Sequence, residues 1–235
     1  GLEALEILRT ETFDGVVLDV NMPKMDGIEL LRALASEGIS ARILMASTLT
    51  MDGAKVTLDA LELGALDFIH KPEWSYKCKE NNFDKELLDT LYAVCNAKLK
   101  SVAKVKPVTR RTIEIQTGVE QLVRKKAASI TGNRLVAIAI STGGPKSLQS
   151  VIPFLPEDLN APVVIVQHMP VGFTESLAQR MDAISRIAVS EAKEGEVLEN
   201  GHVYIARGGQ HLKLVKSGRG SRVHYSDEPP REGVK

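Results

Sequence analysis

Two short apolar runs, each followed by a polar side chain, constrain the fold of this chain more than any other feature. Residues 135–140 read LVAIAI and are followed by Ser141, and residues 163–166 read VVIV and are followed closely by His168. Apolar, partly β-branched runs of this length predict parallel strands that are buried on both faces. Because ligands bind at the carboxyl ends of such strands, we expect Ser141 and His168 to meet at one edge of a sheet.

The turn after Ser141 offers the groups that acyl transfer needs. Gly143 and Gly144 precede a predicted helix over 145–155, where their N–H groups can hold an oxyanion while His168 takes the serine proton. Other interpretations stay open: a serine before two glycines is also typical of a phosphate-binding loop or a helix cap, and His168 alone of an ordinary loop histidine. The spacing differs from the nucleophile elbow of α/β-hydrolases, since the histidine follows the serine too soon.

Three strands predicted in the first 95 residues also end in polar groups. The strand over 16–18 ends at Asp19, the strand over 43–46 at Ser47, and the strand over 66–69 just before Lys71. An aspartate nucleophile, a hydroxyl donor and a lysine suit phosphoryl transfer to the aspartate, with a divalent metal to neutralise charge. Each residue alone is more typical of a cap, a loop or a surface charge, so it is the ordered combination that favours this chemistry.

Charge divides the chain into three parts although its net charge is zero. Residues 1–95 hold 9 basic and 17 acidic side chains, residues 96–134 hold 10 and 2, and residues 135–235 hold 11 of each. The basic stretch lacks aromatic residues, which favours an interdomain linker over a nucleic-acid-binding arm, its alternative. No apolar stretch reaches the length of a membrane helix, and the two cysteines are expected to be reduced thiols.

The motifs LDVNMPKMDG, ILMAST and GALDFIHKP resemble the receiver domain of two-component response regulators. This resemblance implies that a histidine kinase phosphorylates Asp19. It also implies that Ser47 is the switch hydroxyl, Phe68 the switch aromatic residue and Lys71 the phosphate-binding lysine. Asp19 and the main-chain carbonyl of Asn21 would then help to bind Mg²⁺.

The motifs AISTGGP, VVIVQHMPVGFTESLAQRM and ENGHVYIARGGQHLKL resemble the catalytic domain of chemotaxis protein-glutamate methylesterases, which are response regulators fused to a serine hydrolase. The resemblance implies that Ser141 is the nucleophile and His168 its general base. The implied substrates are glutamate methyl esters, and also glutamines for deamidation, on membrane chemoreceptors. The esterase would need no cofactor, and phosphorylation of the receiver would relieve its block of the active site. A cytoplasmic protein without membrane insertion or nucleic-acid partner is expected.

We therefore predict an α/β chain with a truncated flavodoxin-like receiver domain over 1–95, a linker over 96–134, and a truncated doubly wound parallel methylesterase domain over 135–235. In the resembled family an acidic pair completes the metal site on an earlier strand, and the triad aspartate lies in a later motif. We expect both outside residues 1–235, so that this stretch alone is inactive. The alternatives are a response regulator whose output domain binds a partner without catalysis and, less compatible with the charge balance, a transcriptional regulator.

Overall fold

A computed structural model describes residues 1–48, 51–71, 83–97, 134–218 and 220–231. They form two α/β units, one at each end of the chain, each built on a parallel sheet. Most of the predicted linker, residues 98–133, lies outside the described residues. In the part of the chain that the structure covers, no helix is long and apolar enough to cross a membrane.

The first unit alternates helices with short parallel strands. Its elements are α1 (Leu2–Thr10), β1 (Val16–Asp19), α2 (Gly27–Glu37), β2 (Ile43–Ser47), α3 (Met51–Glu62), β3 (Asp67–His70) and α4 (Phe83–Asn96). The strand order is β1-β2-β3, and β2 is buried at the centre. Helix α2 shows how local sequence sets the bounds. Asp26 and Glu29 form a reciprocal capping box at its start, and Gly38 ends it in the left-handed conformation.

The second unit is a four-stranded parallel sheet followed by a hairpin. Its elements are β4 (Val136–Ile140), α5 (Gly144–Val151) with a 3₁₀ turn (Ile152–Phe154), β5 (Val163–Gln167), α6 (Phe173–Ile184), β6 (Ala188–Glu191), β7 (His202–Ile205), β8 (His211–Ser217) and β9 (Gly220–Ser226). The sheet order is β4-β5-β7-β6, and β8 pairs antiparallel with β9. These two units confirm the predicted α/β class.

The prediction that the strand before Ser141 is buried on both faces is wrong. Val136 is 41% exposed, and Ala137 and Ala139 are exposed as well. The reason is position in the sheet, because β4 is the edge strand of the described sheet and pairs there only with β5. Strand β5, which has neighbours on both sides, is buried at 163–165 as predicted. Apolar composition alone does not distinguish an edge strand from a central one.

The apolar cores of the two units are continuous. One cluster of buried side chains includes Leu30 and Leu58 of the first unit and Leu148 and Leu177 of the second. Helix α3 packs against α5 and α6, so this helix joins the two cores. Because a fully buried leucine contributes roughly 2 kcal/mol, this packing stabilises the contact between the two units.

Candidate functional site

The sheet register brings Ser141 and His168 side by side. Ile140, the last residue of β4, pairs with Gln167, the last residue of β5, and the main-chain N–H of His168 donates to the Ile140 carbonyl at 3.2 Å. Ser141 and His168 are the next residues on these two strands, and both are exposed. In the described part of the chain no hydrogen bond joins the serine hydroxyl to the imidazole. The structure thus brings the two groups to one edge, and their catalytic roles stay a prediction.

The loop after Ser141 is a tight turn that presents main-chain N–H groups. Gly144 donates its N–H to the Ser141 carbonyl at 2.8 Å, and Gly143 takes φ = 72°, which favours glycine. Helix α5 begins directly after this turn with Pro145 near its start. The main-chain N–H groups at the start of the helix are of the kind that can stabilise an anion.

A carboxylate from the first unit occupies this turn. Oδ2 of Asp67, at the start of β3, accepts the Gly143 N–H at 2.8 Å, and Oδ1 accepts the N–H of Phe68 at 2.9 Å. Asp67 is only 7% exposed. Burial raises its pKa, while its two main-chain donors and the nearby His168 act in the opposite direction. A buried carboxyl group of the first unit thus contacts the serine loop through the main-chain N–H of Gly143.

Aromatic side chains extend this contact. The ring of Phe68 stacks on Phe173 with centroids 5.5 Å apart, and His70 meets Phe173 edge-on at 4.7 Å. Phe173 is the first residue of α6 and is buried. The predicted switch aromatic residue therefore contacts the unit that carries the serine loop.

Ion pairs between α3 and α6 also join the two units. The guanidinium of Arg180 on α6 lies 2.7 Å from Asp59 and also pairs with Glu62, both on α3. The two acids raise the arginine pKa against the opposing effect of its burial. A basic group of one unit is thus held by two acidic groups of the other.

The receiver-like residues of the first unit are partly assembled. Nζ of Lys71 lies 2.5 Å from Oδ2 of Asp19, and Oδ1 of Asp19 accepts the Asn21 N–H at 3.1 Å. The hydroxyl of Ser47 is buried, and Thr57 of α3 donates to it at 2.9 Å. No hydrogen bond joins Ser47 to Asp19 in the described residues. The structure therefore brings Asp19, Asn21 and Lys71 together and leaves the predicted switch hydroxyl turned towards α3.

Two oxygen groups of the predicted metal site belong to Asp19 and Asn21. Asp19 offers a carboxylate and Asn21 a main-chain carbonyl, both oxygen ligands of the kind that Mg²⁺ prefers. Among the residues that the structure describes, no group of three His, Cys, Asp or Glu side chains is placed to hold a metal ion. The first unit is consistent with a divalent metal site, and the assignment of Asp19 and Asn21 as ligands stays a prediction.

Sequence reasoning missed two residues of the site. Asp67 contacts Gly143 of the serine loop although the two residues are 76 positions apart in the chain. A local sequence pattern cannot predict such a contact. Gln167 is a polar residue at a buried position, 5% exposed, between an apolar strand and His168. This placement could have predicted a hydrogen-bonding role for Gln167, because buried polar side chains nearly always form hydrogen bonds.

Both units match models of known protein families. A model of the response regulator receiver domain matches residues 1–80, and a model described as CheB methylesterase matches residues 136–234. Two proteins named protein-glutamate methylesterase/protein-glutamine glutaminase align over nearly the whole chain. The one from Halalkalibacterium halodurans is 40% identical over 99% of this chain and 64% of its own length. The one from Bacillus subtilis is 41% identical over 95% of this chain and 62% of its own length. The chain thus spans about three fifths of these relatives.

Solved structures resemble each unit separately. The crystal structure of the Thermotoga maritima CheB methylesterase catalytic domain is 43% identical, covering 45% of this chain and 56% of that one, with a TM-score of 0.43. The response regulator domain of Thermotoga maritima CheB is 34% identical, covering 42% of this chain and 72% of that one, with a TM-score of 0.34.

Proposed function

We propose that this chain is a chemotaxis response regulator that hydrolyses glutamate methyl esters, because one part of it matches the receiver-domain model and another part the CheB methylesterase model. The proposed substrates are membrane chemoreceptors, and deamidation of receptor glutamines is the proposed companion reaction. The observation that carries the proposal is the register of β4 with β5, which sets Ser141 beside His168 at the mouth of a glycine turn. The division into residues 1–95, 96–134 and 135–235 is part of the proposal.

The proposed chemistry is acyl transfer through the serine. The hydroxyl of Ser141 attacks the ester carbonyl while His168 takes its proton, and the N–H of Gly143 stabilises the oxyanion. His168 then protonates the departing methanol. Water, activated by the same imidazole, releases the glutamate carboxylate and restores the serine. In the proposed mechanism an aspartate orients the His168 ring and stabilises its protonated form. Among the described residues no carboxylate is hydrogen bonded to this ring.

The contact between the two units supports a regulatory role for the receiver. Docked as described, Asp67 occupies the donor that the oxyanion needs, so Gly143 cannot serve both groups at once. We propose that a histidine kinase phosphorylates Asp19. The negative charge added at Asp19, beside Lys71, would then loosen this docking. Asp19 and the Asn21 carbonyl would supply two of the ligands of a magnesium ion. When bound, this ion supplies positive charge beside the phosphoryl group.

Partners and location follow from the same proposal. The chain would receive its phosphoryl group from a kinase and act on receptors that cross the membrane, while remaining in the cytoplasm itself. Neither a nucleic acid nor insertion into the membrane is part of this proposal.

The direct test is methanol release from methylated chemoreceptor by the full-length protein. We expect release that stops with Ser141→Ala and rises with a small-molecule phosphodonor in the unchanged protein, but not in Asp19→Asn. A folded Ser141→Ala variant that releases methanol at the rate of the unchanged protein would rule out this serine as the nucleophile. A full-length protein that binds methylated receptor without any release would favour a non-catalytic output domain instead.

A further inference from the structure

Gln167 links the main chains of the two proposed catalytic residues. It is the last residue of β5, and its side chain is buried. Its Nε2 donates to the carbonyl of Ser141 at 3.1 Å and to the carbonyl of His168 at 3.2 Å. One side-chain amide thus contacts both strand ends just where the strands stop pairing with each other.

The structure requires glycine at positions 143 and 144 of the serine loop for different reasons. Gly143 needs a positive φ, and a Cβ there would meet nothing within 4 Å. Gly144 is not among the glycines with positive φ, so its backbone would accept a side chain. A Cβ on Gly144 would, however, lie 1.9 Å from Oε1 of Gln167. Gly144 therefore makes room for the Gln167 amide.

The orientation of that amide is fixed by its surroundings. Oε1 of Gln167 is buried and has no hydrogen-bond partner among the described residues. Turning the amide over would point this oxygen at the carbonyls of Ser141 and His168, which would be repulsive. The arrangement with Nε2 towards both carbonyls is therefore the better one, even though it leaves an acceptor unpaired.

We propose that Gln167 is a positioning residue for hydrolysis. Its amide ties the nucleophile strand to the base strand and, through the Ser141 carbonyl, supports the turn that presents the Gly143 N–H. Helix α5 follows this turn, so the clamp also sets where the helix begins. The role in hydrolysis rests on the proposed esterase function, whereas the clamp itself is a property of the fold.

Two substitutions in the full-length protein test the catalytic role. Gln167→Met keeps the length of the side chain and removes both N–H donors. We expect kcat for methanol release to fall on the order of a hundredfold with little change in KM, because a small misplacement of the reacting groups is that costly. Gln167→Glu keeps the shape and can donate only when protonated. Its rate relative to the unchanged protein should therefore rise as the pH falls, which a space-filling role would not produce. The matched control is Gln179→Met, an exposed glutamine on α6, which should keep the full rate.

A double substitution tests the packing argument. Gly144→Ala should reduce kcat strongly when Gln167 is present and add little in a Gln167→Ala background, because the clashing amide is then gone. Effects that multiply independently would overturn the pairing of these two residues, as would a folded Gln167→Met variant with the kcat of the unchanged protein.

Hydrogen exchange separates failure of this inference from failure of the proposed function. In Gln167→Met the amides of Gly143 and Gly144 should exchange faster, at an unchanged thermal midpoint, whether or not the protein is an esterase. Absence of methanol release from the unchanged protein would refute the esterase, and the exchange rates would still decide the clamp. Unchanged exchange at both glycines would refute the clamp.

Discussion

The ring of His70 makes the contact between the two domains sensitive to acid. The ring of His70 meets both Phe68 and Phe173 edge-on, and neither ring nitrogen has a hydrogen-bond partner among the described residues. Burial lowers its pKa to about 4, against an opposing effect of the Ser47 backbone. A protonated imidazole in this largely apolar, aromatic setting would be poorly solvated. We therefore predict that stability falls as the pH drops through the range between the ordinary and the lowered pKa.

The magnitude follows from the two pKa values. The unfolded chain takes up a proton near pH 6.5 and the folded chain near pH 4, so stability is intact above about pH 7 and is lost progressively below 6.5. At about pH 5 the full linkage corresponds to a loss of about 2 kcal/mol. Since the ring is only partly buried, solvent screening reduces this loss, and we expect about 1 kcal/mol.

Urea unfolding of the unchanged protein and of His70→Phe measures this loss. Phenylalanine keeps the ring contacts with Phe68 and Phe173 but does not titrate. Between about pH 7.5 and about pH 5 the unchanged protein should lose about 1 kcal/mol more stability than the variant. The rest of the chain is the same in both proteins, so its contribution to the pH dependence cancels. An equal loss in the two proteins would mean that His70 does not sense pH through burial.

Two substitutions at the same contact should release the methylesterase domain before phosphorylation. Asp67→Ala removes the acceptor on Gly143, and the net loss of about 1 kcal/mol of docking should raise unphosphorylated methanol release about fivefold. Arg180→Glu replaces two attractive pairs by repulsion from Asp59 and Glu62, and should raise the same basal rate several-fold at low salt and less at high salt. Rates that stay at the level of the unchanged protein in both variants would show that the docked receiver does not limit access.

The sequence predicted the elements of the fold well, for an identifiable reason. Strand β5 and the strand before Asp19 are short apolar runs that end in polar residues, and each was found within a residue of its predicted end. Placement of Ser141 next to His168 followed from the rule that parallel strands end at one edge. Both inferences use information that is local in the chain.

What could not be predicted depends on contacts between distant segments. Exposure of β4 depends on which strand flanks it, and the position of Asp67 in the serine loop depends on how two domains pack. The inward turn of Ser47 depends on Thr57, a neighbour in the fold on α3. Tertiary packing decides such features, and no hydrophobic period encodes them.

The most direct test of the central claim is to find which residue a serine-directed phosphonate modifies in the full-length protein. We predict modification of Ser141, located by peptide mass spectrometry, at a rate that falls sharply in His168→Ala because the imidazole no longer takes the serine proton. We also predict faster modification in Asp67→Ala. Modification of another residue while Ser141 stays intact, or labelling of Ser141 that does not depend on His168, would contradict the account.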